Sequence, residues 1–304
     1  MTETFHTSDG ARIGYRVLGR EHAGPALVMV NGMSAVMEDW LSLAHALAET
    51  RRVVVLDHRG IGASYLTPDE SEDISIELMA QDVIDLVRSL GVRIVHLLGF
   101  SMGGLIVQAI LTHANAQATA DGKGVAVQGI EVRRVVLSAT FTRSPRTEFR
   151  LEDVPRPAHG SSADRAKAAV RYMLEMQYDP AVLGPGGALE ATLEAHLAES
   201  ATLRRPAMLI MQQATAISLY SGRDALCRVP HGLPVAVIHG RRDRMVAYDE
   251  SADLLARLPG AVRLFPATDA RDREAFGHMW FDYFALRAWV APLTQFLYRP
   301  GAKI

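Results

Sequence analysis

The sequence predicts an α/β fold: a mainly parallel sheet flanked by helices, with a helical cap inserted into it. Three observations carry this. Short apolar runs alternate with longer segments of helical period, as expected of strands joined by crossover helices. The alternation stops between about Phe141 and Val229, where Ala-, Leu- and Met-rich helical patterns follow one another without a strand. It then resumes to the end of the chain. This divides the 304 residues into a core, 1–141 and 230–304, and a cap, 142–229.

In chain order, Ile13–Leu18, Leu27–Val30, Val53–Leu56, Ile94–Leu98, Val132–Leu137, Val235–His239 and Val262–Phe265 read as strands. Asp39–Ala48, Ile76–Leu90, Met102–Ala114, Tyr248–Leu258 and Met279–Tyr298 read as helices. The polar, glycine-bearing stretch Asn115–Gly129 reads as a surface excursion, and Arg143–Ser162 as loop.

Composition limits the partners. With 49% hydrophobic residues the chain can bury a substantial core, and its 32 basic and 34 acidic residues nearly cancel. No long-range field would gather nucleic acid or an anionic lipid surface. No apolar stretch reaches the roughly 18 residues a membrane span needs. The N-terminus lacks the basic start and apolar run of a signal peptide. The lone Cys227 cannot close an intramolecular disulfide, and a cytoplasmic monomer or homodimer is expected. Ala302-Lys303-Ile304 loosely resembles a peroxisomal address, which leaves that compartment as the alternative.

Gly99-Phe100-Ser101-Met102-Gly103-Gly104 follows directly on the apolar run 94–98 and opens a helical pattern. A sharp strand-to-helix turn forces its central residue into a strained backbone, and glycine two positions either side leaves room for it. The Ser101 hydroxyl would then stand at a helix N-terminus, where developing negative charge is favoured. The loop has neither the G-K-[ST] ending of a phosphate-binding P-loop nor G-x-G-x-x-G spacing.

A serine needs a base, and the base needs an orienting group. Asp243 lies just past the strand 235–239, and His278 lies between the last strand and the last helix, so the order is Ser101, Asp243, His278. His239, His231 and His96 compete as base, but His239 and His96 fall inside apparent strands. The oxyanion requires pre-aimed N–H donors, assigned to the backbones of Met102 and of Met33 in the loop Asn31-Gly32-Met33.

With these motifs the chain resembles the α/β-hydrolase superfamily over nearly its whole length. Asp57-His58-Arg59-Gly60-Ile61-Gly62-Ala63-Ser64 matches that family's D-x-R-G-x-G-x-S segment, in which the resemblance makes Asp57 a structural brace. It also implies an eight-stranded sheet. Ser101, where similar dehalogenases and epoxide hydrolases carry aspartate, disfavours those chemistries. Two departures stand out: Asn31-Gly32 replaces the usual His-Gly, somewhat as in enol-lactone hydrolases, and Thr268–Ala275 lengthens a usually short segment.

The expected reaction is hydrolysis of a neutral, fairly apolar small-molecule ester or lactone through an acyl-enzyme. Carbon–carbon bond hydrolysis, acyl transfer or perhydrolysis by the same triad remain open, as does a receptor that kept the fold. No cofactor or metal is expected, because neither H-E-x-x-H nor a cysteine-rich ligand set occurs. Substrate contacts are expected from Asn31, Gly32 and cap residues, chiefly Tyr172, Met176 and Met208 within the cluster that adds Met173, Tyr178, Met211 and Tyr220.

Overall fold

A computed structural model describes residues 1–67, 74–155 and 161–298. Its framework is the set of apolar runs. The strands β1 (Glu3–His6), β2 (Arg12–Leu18), β3 (Ala26–Val30), β4 (Val53–Leu56) and β5 (Ile94–Phe100) come first. They are followed by β6 (Gln117–Ala118), β7 (Val125–Val127), β8 (Ile130–Ser138), β9 (Val235–Ile238) and β10 (Val262–Arg263). The main path runs β1-β2-β4-β3-β5-β8-β9-β10 and is parallel from β4 onward. Every residue of β3 and β4 is buried, as strands covered on both faces must be.

Alternation along each strand feeds two cores. Val28, Val54, Leu97 and Val135 face one side, against α2 (Ile76–Ser89) and α3 (Met102–Thr112). Leu27, Val53, Leu98 and Val136 face the other, against α1 (Leu41–Ala48) and the last helix, Leu286–Tyr298. Each fully buried aliphatic side chain contributes about 1.5–3 kcal/mol. The β5-to-α3 junction lies between the two layers.

Between β8 and β9 the described residues form α4 (Ser162–Glu175), α5 (Glu190–Ser200), α6 (Ala207–Leu219) and 3₁₀ turns, with no strand. Ser161 caps α4, its hydroxyl accepting from the Asp164 N–H at 3.2 Å. After β9 come α7 (Glu250–Arg257) and α8 (Leu286–Tyr298).

Several expectations are corrected. Asn115–Gly129 is not a plain surface loop: β6 and β7 form a hairpin that pairs with the first half of β8, leaving the second half to β9. This makes ten strands among the described residues, an eight-strand path plus the hairpin. The helix expected over Met279–Tyr298 is a 3₁₀ turn, Trp280–Asp282, followed by α8 from Leu286. Strand β10 keeps only two of its four expected residues. The 302–304 tripeptide lies outside the described residues. Among those described, no helix is long and apolar enough to cross a membrane.

Candidate active site

Ser101 sits where β5 turns into α3, with φ +53° and ψ −120°, a conformation that costs a non-glycine residue about 1–3 kcal/mol. Its neighbours hold it there. The Ser101 N–H donates to Ser138 O at 2.9 Å, and Ser101 O accepts from Gly104 N at 2.9 Å and Thr140 Oγ1 at 2.6 Å. The glycines are dictated by space: a Cβ on Gly103 would lie 2.1 Å from Val30 O, and one on Gly99 2.5 Å from Gly103 O. The turn therefore fits only when three backbone segments nearly touch.

Asp243 leaves the turn after β9 and is wholly enclosed. Its Oδ1 accepts from the backbone N–H of Met245 at 2.9 Å and of Val246 at 2.8 Å. Its Oδ2 lies 2.8 Å from Nδ1 of His278 and 3.3 Å from Nε2 of His239. Burial pushes the carboxyl up, but the attraction of His278 and the hydrogen bonds from both imidazoles outweigh it and hold the group well below the carboxylate range. Ionised Asp243 accepts only, so Nδ1 of His278 carries hydrogen and Nε2 is left as the basic nitrogen.

The ring of Phe100, the residue before Ser101, lies 4.9 Å from the His278 ring, centroid to centroid. Elbow and imidazole are thus packed side by side. The His278 N–H donates to Gln177 O at 2.8 Å, tying His278 to the chain just past the end of α4. The long 268–275 segment is anchored as well: Arg241 N donates to Glu274 O at 2.7 Å, and Arg242 N to Phe276 O at 3.1 Å. These bonds join the loop of Asp243 to the segment leading into His278.

The loop after β3 is braced from below. Nδ2 of Asn31 donates to Leu56 O at 2.9 Å, and Nε2 of His58 donates to Asn31 O at 2.9 Å. Burial takes His58 down to about 4, so its ring is neutral. Asp57 accepts from Met37 N at 2.7 Å and from Ala63 N at 2.8 Å, while burial pushes its carboxyl up to about 7 against those two bonds. Gly32 comes so close to the elbow that a Cβ there would lie 3.1 Å from Cβ of Ser101. Among the described residues, the N–H groups of Met33 and Met102 donate to no other protein group.

A model of the alpha/beta hydrolase fold matches residues 25–282. The chain belongs to the α/β-hydrolase family. It is 28% identical to 3-oxoadipate enol-lactonase 1 of Acinetobacter baylyi over 208 residues, covering 59% of this chain and 76% of that one. Among solved structures it resembles a hydrolase from Pseudomonas aeruginosa PA01, with TM-score 0.71, 24% identity and 98% of each chain covered. It also resembles the esterase EaEST from Exiguobacterium antarcticum, with TM-score 0.72 and 19% identity over 98% of this chain and 99% of that one. These likenesses support a hydrolase of this fold.

Within this α/β hydrolase, some expected site residues lie elsewhere. Asn31 is spent on Leu56 and is 1% exposed, so its amide braces the loop instead of facing a substrate. Met208 is 68% and Met211 64% exposed, off the inward face of α6, so neither walls an enclosed pocket. Met176 is buried next to Gln177, whose carbonyl holds His278, and Tyr172 is half-buried with its ring 6.0 Å from that of Phe149.

Three residues take supporting roles that their local sequence does not announce, His239 among them as a partner of Asp243 and not only a competing base. His239 follows the last residue of β9 instead of lying within the strand, and its Nε2 is shared between Asp243 and Val246 O at 3.0 Å. Gln213 Oε1 accepts from Ser34 N at 2.9 Å, and Arg205 Nε donates to Ser34 O at 3.0 Å. Both act on the residue after Met33. Their signals were faint: a polar residue in the apolar stripe of α6, and a histidine four positions before the acid.

Among the described residues, one group could gather a metal, Asp39, His196 and Glu199. Two of its members are engaged, Asp39 with Arg205 at 2.6 Å and His196 with Asp282 at 3.1 Å.

Proposed function

We propose that the protein hydrolyses carboxylic esters or lactones through an acyl-enzyme on Ser101. The observation that carries this is the hydrogen-bonded Asp243–His278 pair packed through Phe100 against a serine in a strained strand-to-helix turn. In the mechanism, Nε2 of His278 takes the Ser101 proton as the hydroxyl attacks the acyl carbonyl. The Met33 and Met102 amides receive the oxyanion, and Asp243 stabilises the imidazolium. His278 then protonates the leaving alkoxide. Water, deprotonated by the same imidazole, attacks the acyl carbon, and the collapse of that second tetrahedral intermediate returns the proton to Ser101 and releases the acid.

The segment 142–229 serves as a cap over this site, contributing Met176 and Tyr172 to the apolar side of the substrate. Its ties to Ser34 and to His278 support that placement. The likeness to an enol-lactonase supports including lactones. The test is turnover of p-nitrophenyl esters and of lactones by wild type and Ser101→Ala. Loss of all turnover in a variant of unchanged thermal stability supports the reading, and equal rates overturn it.

A further inference from the structure

α6 turns an apolar stripe inward, with Leu209, Gln213 and Ala216 buried. In the middle of that stripe stands an amide, 0% exposed. Removing an amide from water without partners costs about 1–3 kcal/mol on protein scales, so its hydrogen bonds call for an account. One side of the amide is satisfied. Ser34 N–H must meet an acceptor, which fixes Oε1 as the oxygen bonded to it at 2.9 Å and makes the other amide atom the NH₂. That Nε2 has no acceptor among the described residues.

Ser34 is an unusual residue to hold this way. Its φ is +59°, its N–H is taken by Gln213 and its carbonyl by Arg205. Both partners come from the segment between β8 and β9. The strained turn next to Met33 is therefore fixed by that segment. The planar Gln213 amide then presents two N–H donors beside the loop that approaches Ser101 through Gly32.

Resting on the ester or lactone reading above, we propose that Gln213 is a specificity-determining residue whose Nε2 donates to a second oxygen acceptor of the substrate. That oxygen, a ketone, ether or further carbonyl, lies within a few bonds of the reacting acyl carbon. The preferred substrate is accordingly an oxygen-bearing acyl group, not a plain alkyl one. Arg205 adds no free charge here, since its Nη2 donates to Asp39 at 2.6 Å and its Nη1 to Ser200 at 2.8 Å. The acceptor is therefore a neutral oxygen.

The experiment compares p-nitrophenyl hexanoate with p-nitrophenyl 4-oxopentanoate and p-nitrophenyl 3-methoxypropanoate. The enzymes are wild type, Gln213→Glu, which keeps the acceptor for Ser34 but has no NH₂, and Gln213→Met, which has neither. Dividing each variant's ratio of kcat/KM by the wild-type ratio cancels the intrinsic reactivity of the esters. The expected result is a fall of about tenfold in the preference for at least one oxygen-bearing ester in both variants, the worth of one net hydrogen bond. Unchanged ratios in both variants overturn the proposal.

Should a variant fail to fold, wild type alone gives a second reading through labelling by paired fluorophosphonates whose chains differ by the same oxygen. Faster labelling by the oxygen-bearing member, by about tenfold, supports the proposal, and equal rates overturn it. If Ser101 is labelled by neither and no ester turns over, the hydrolase reading itself has failed. Labelling without an oxygen preference removes only the role of Gln213.

Discussion

Replacing Asp243 with asparagine changes one atom and reverses a hydrogen-bonding pattern. Four N–H groups converge on this carboxylate: two backbone donors on Oδ1 and two imidazoles on Oδ2. Asparagine can satisfy only one of these sides. If its oxygen keeps the Met245 and Val246 amides, its NH₂ faces Nδ1 of His278. The imidazole must then turn to the tautomer with hydrogen on Nε2, where no lone pair remains to accept the Ser101 proton. If the amide flips, two buried backbone N–H groups lose their acceptor, at about 1–3 kcal/mol each.

The first arrangement is therefore the more stable one. Its catalytic cost is on the order of 10⁴ in kcat, about 5.4 kcal/mol of barrier, as for the wrong tautomer in other serine hydrolases. The assay is kcat for a p-nitrophenyl ester, with melting temperature as the control for folding. An Asp243→Asn enzyme that melts like wild type and keeps kcat within tenfold would refute the tautomer argument.

Other outcomes follow from neighbouring contacts. His239→Leu removes the weaker donor to Asp243 and should lower kcat by about tenfold, the order of one net hydrogen bond, whereas His278→Ala should abolish turnover; the reverse ranking in steady-state kinetics would reassign the base. Gly103→Ala drives a methyl toward Val30 O at 2.1 Å and Asn31 O at 2.6 Å, both backbone atoms. It should cost about 1–3 kcal/mol by chemical denaturation, and a neutral result would contradict the packing described for the elbow. Asp243 also predicts pH behaviour: its folded carboxyl lies below the ordinary 3.8, so its contribution is present above that pH and is lost as pH falls through the lower folded value. The acid limb of the urea stability curve should be flatter in Asp243→Asn than in wild type, and parallel limbs would argue against it. In a series of acyl esters, kcat/KM should rise with each methylene, by up to about 0.8 kcal/mol, until the apolar side is full. A series that is flat from the shortest acyl chain would speak against an apolar contact at Met176.

The central strands were legible because a strand buried on both faces leaves an unbroken apolar run, as in Leu27–Val30 and Val53–Leu56. Edge strands leave no such mark. Glu3–His6 alternates half-buried and exposed residues, and the β6–β7 hairpin is made of two- and three-residue pieces, so neither rises above loop composition. Ser101, Asp243 and His278 could be proposed together because each lies at or after a strand end, where the chain carries local signals. The supporting contacts were not legible, since they depend on turn geometry and on distant segments meeting. Nothing local says that Asn31 bonds to Leu56 instead of facing outward, that His239 swings onto Asp243, or that Gln213 reaches a residue 179 positions away. The methionines of α6 show the same limit, because composition suggests an apolar wall while the helix phase exposes Met208 and Met211.

The nucleophilic role of Ser101 is tested most directly by intact-mass and peptide mass spectrometry after brief exposure to a fluorophosphonate. An acyl-enzyme mechanism on Ser101 predicts one adduct per chain, mapped to Ser101, absent in Ser101→Ala and strongly slowed in His278→Ala. An adduct on another residue, or undiminished labelling of Ser101→Ala, would contradict it.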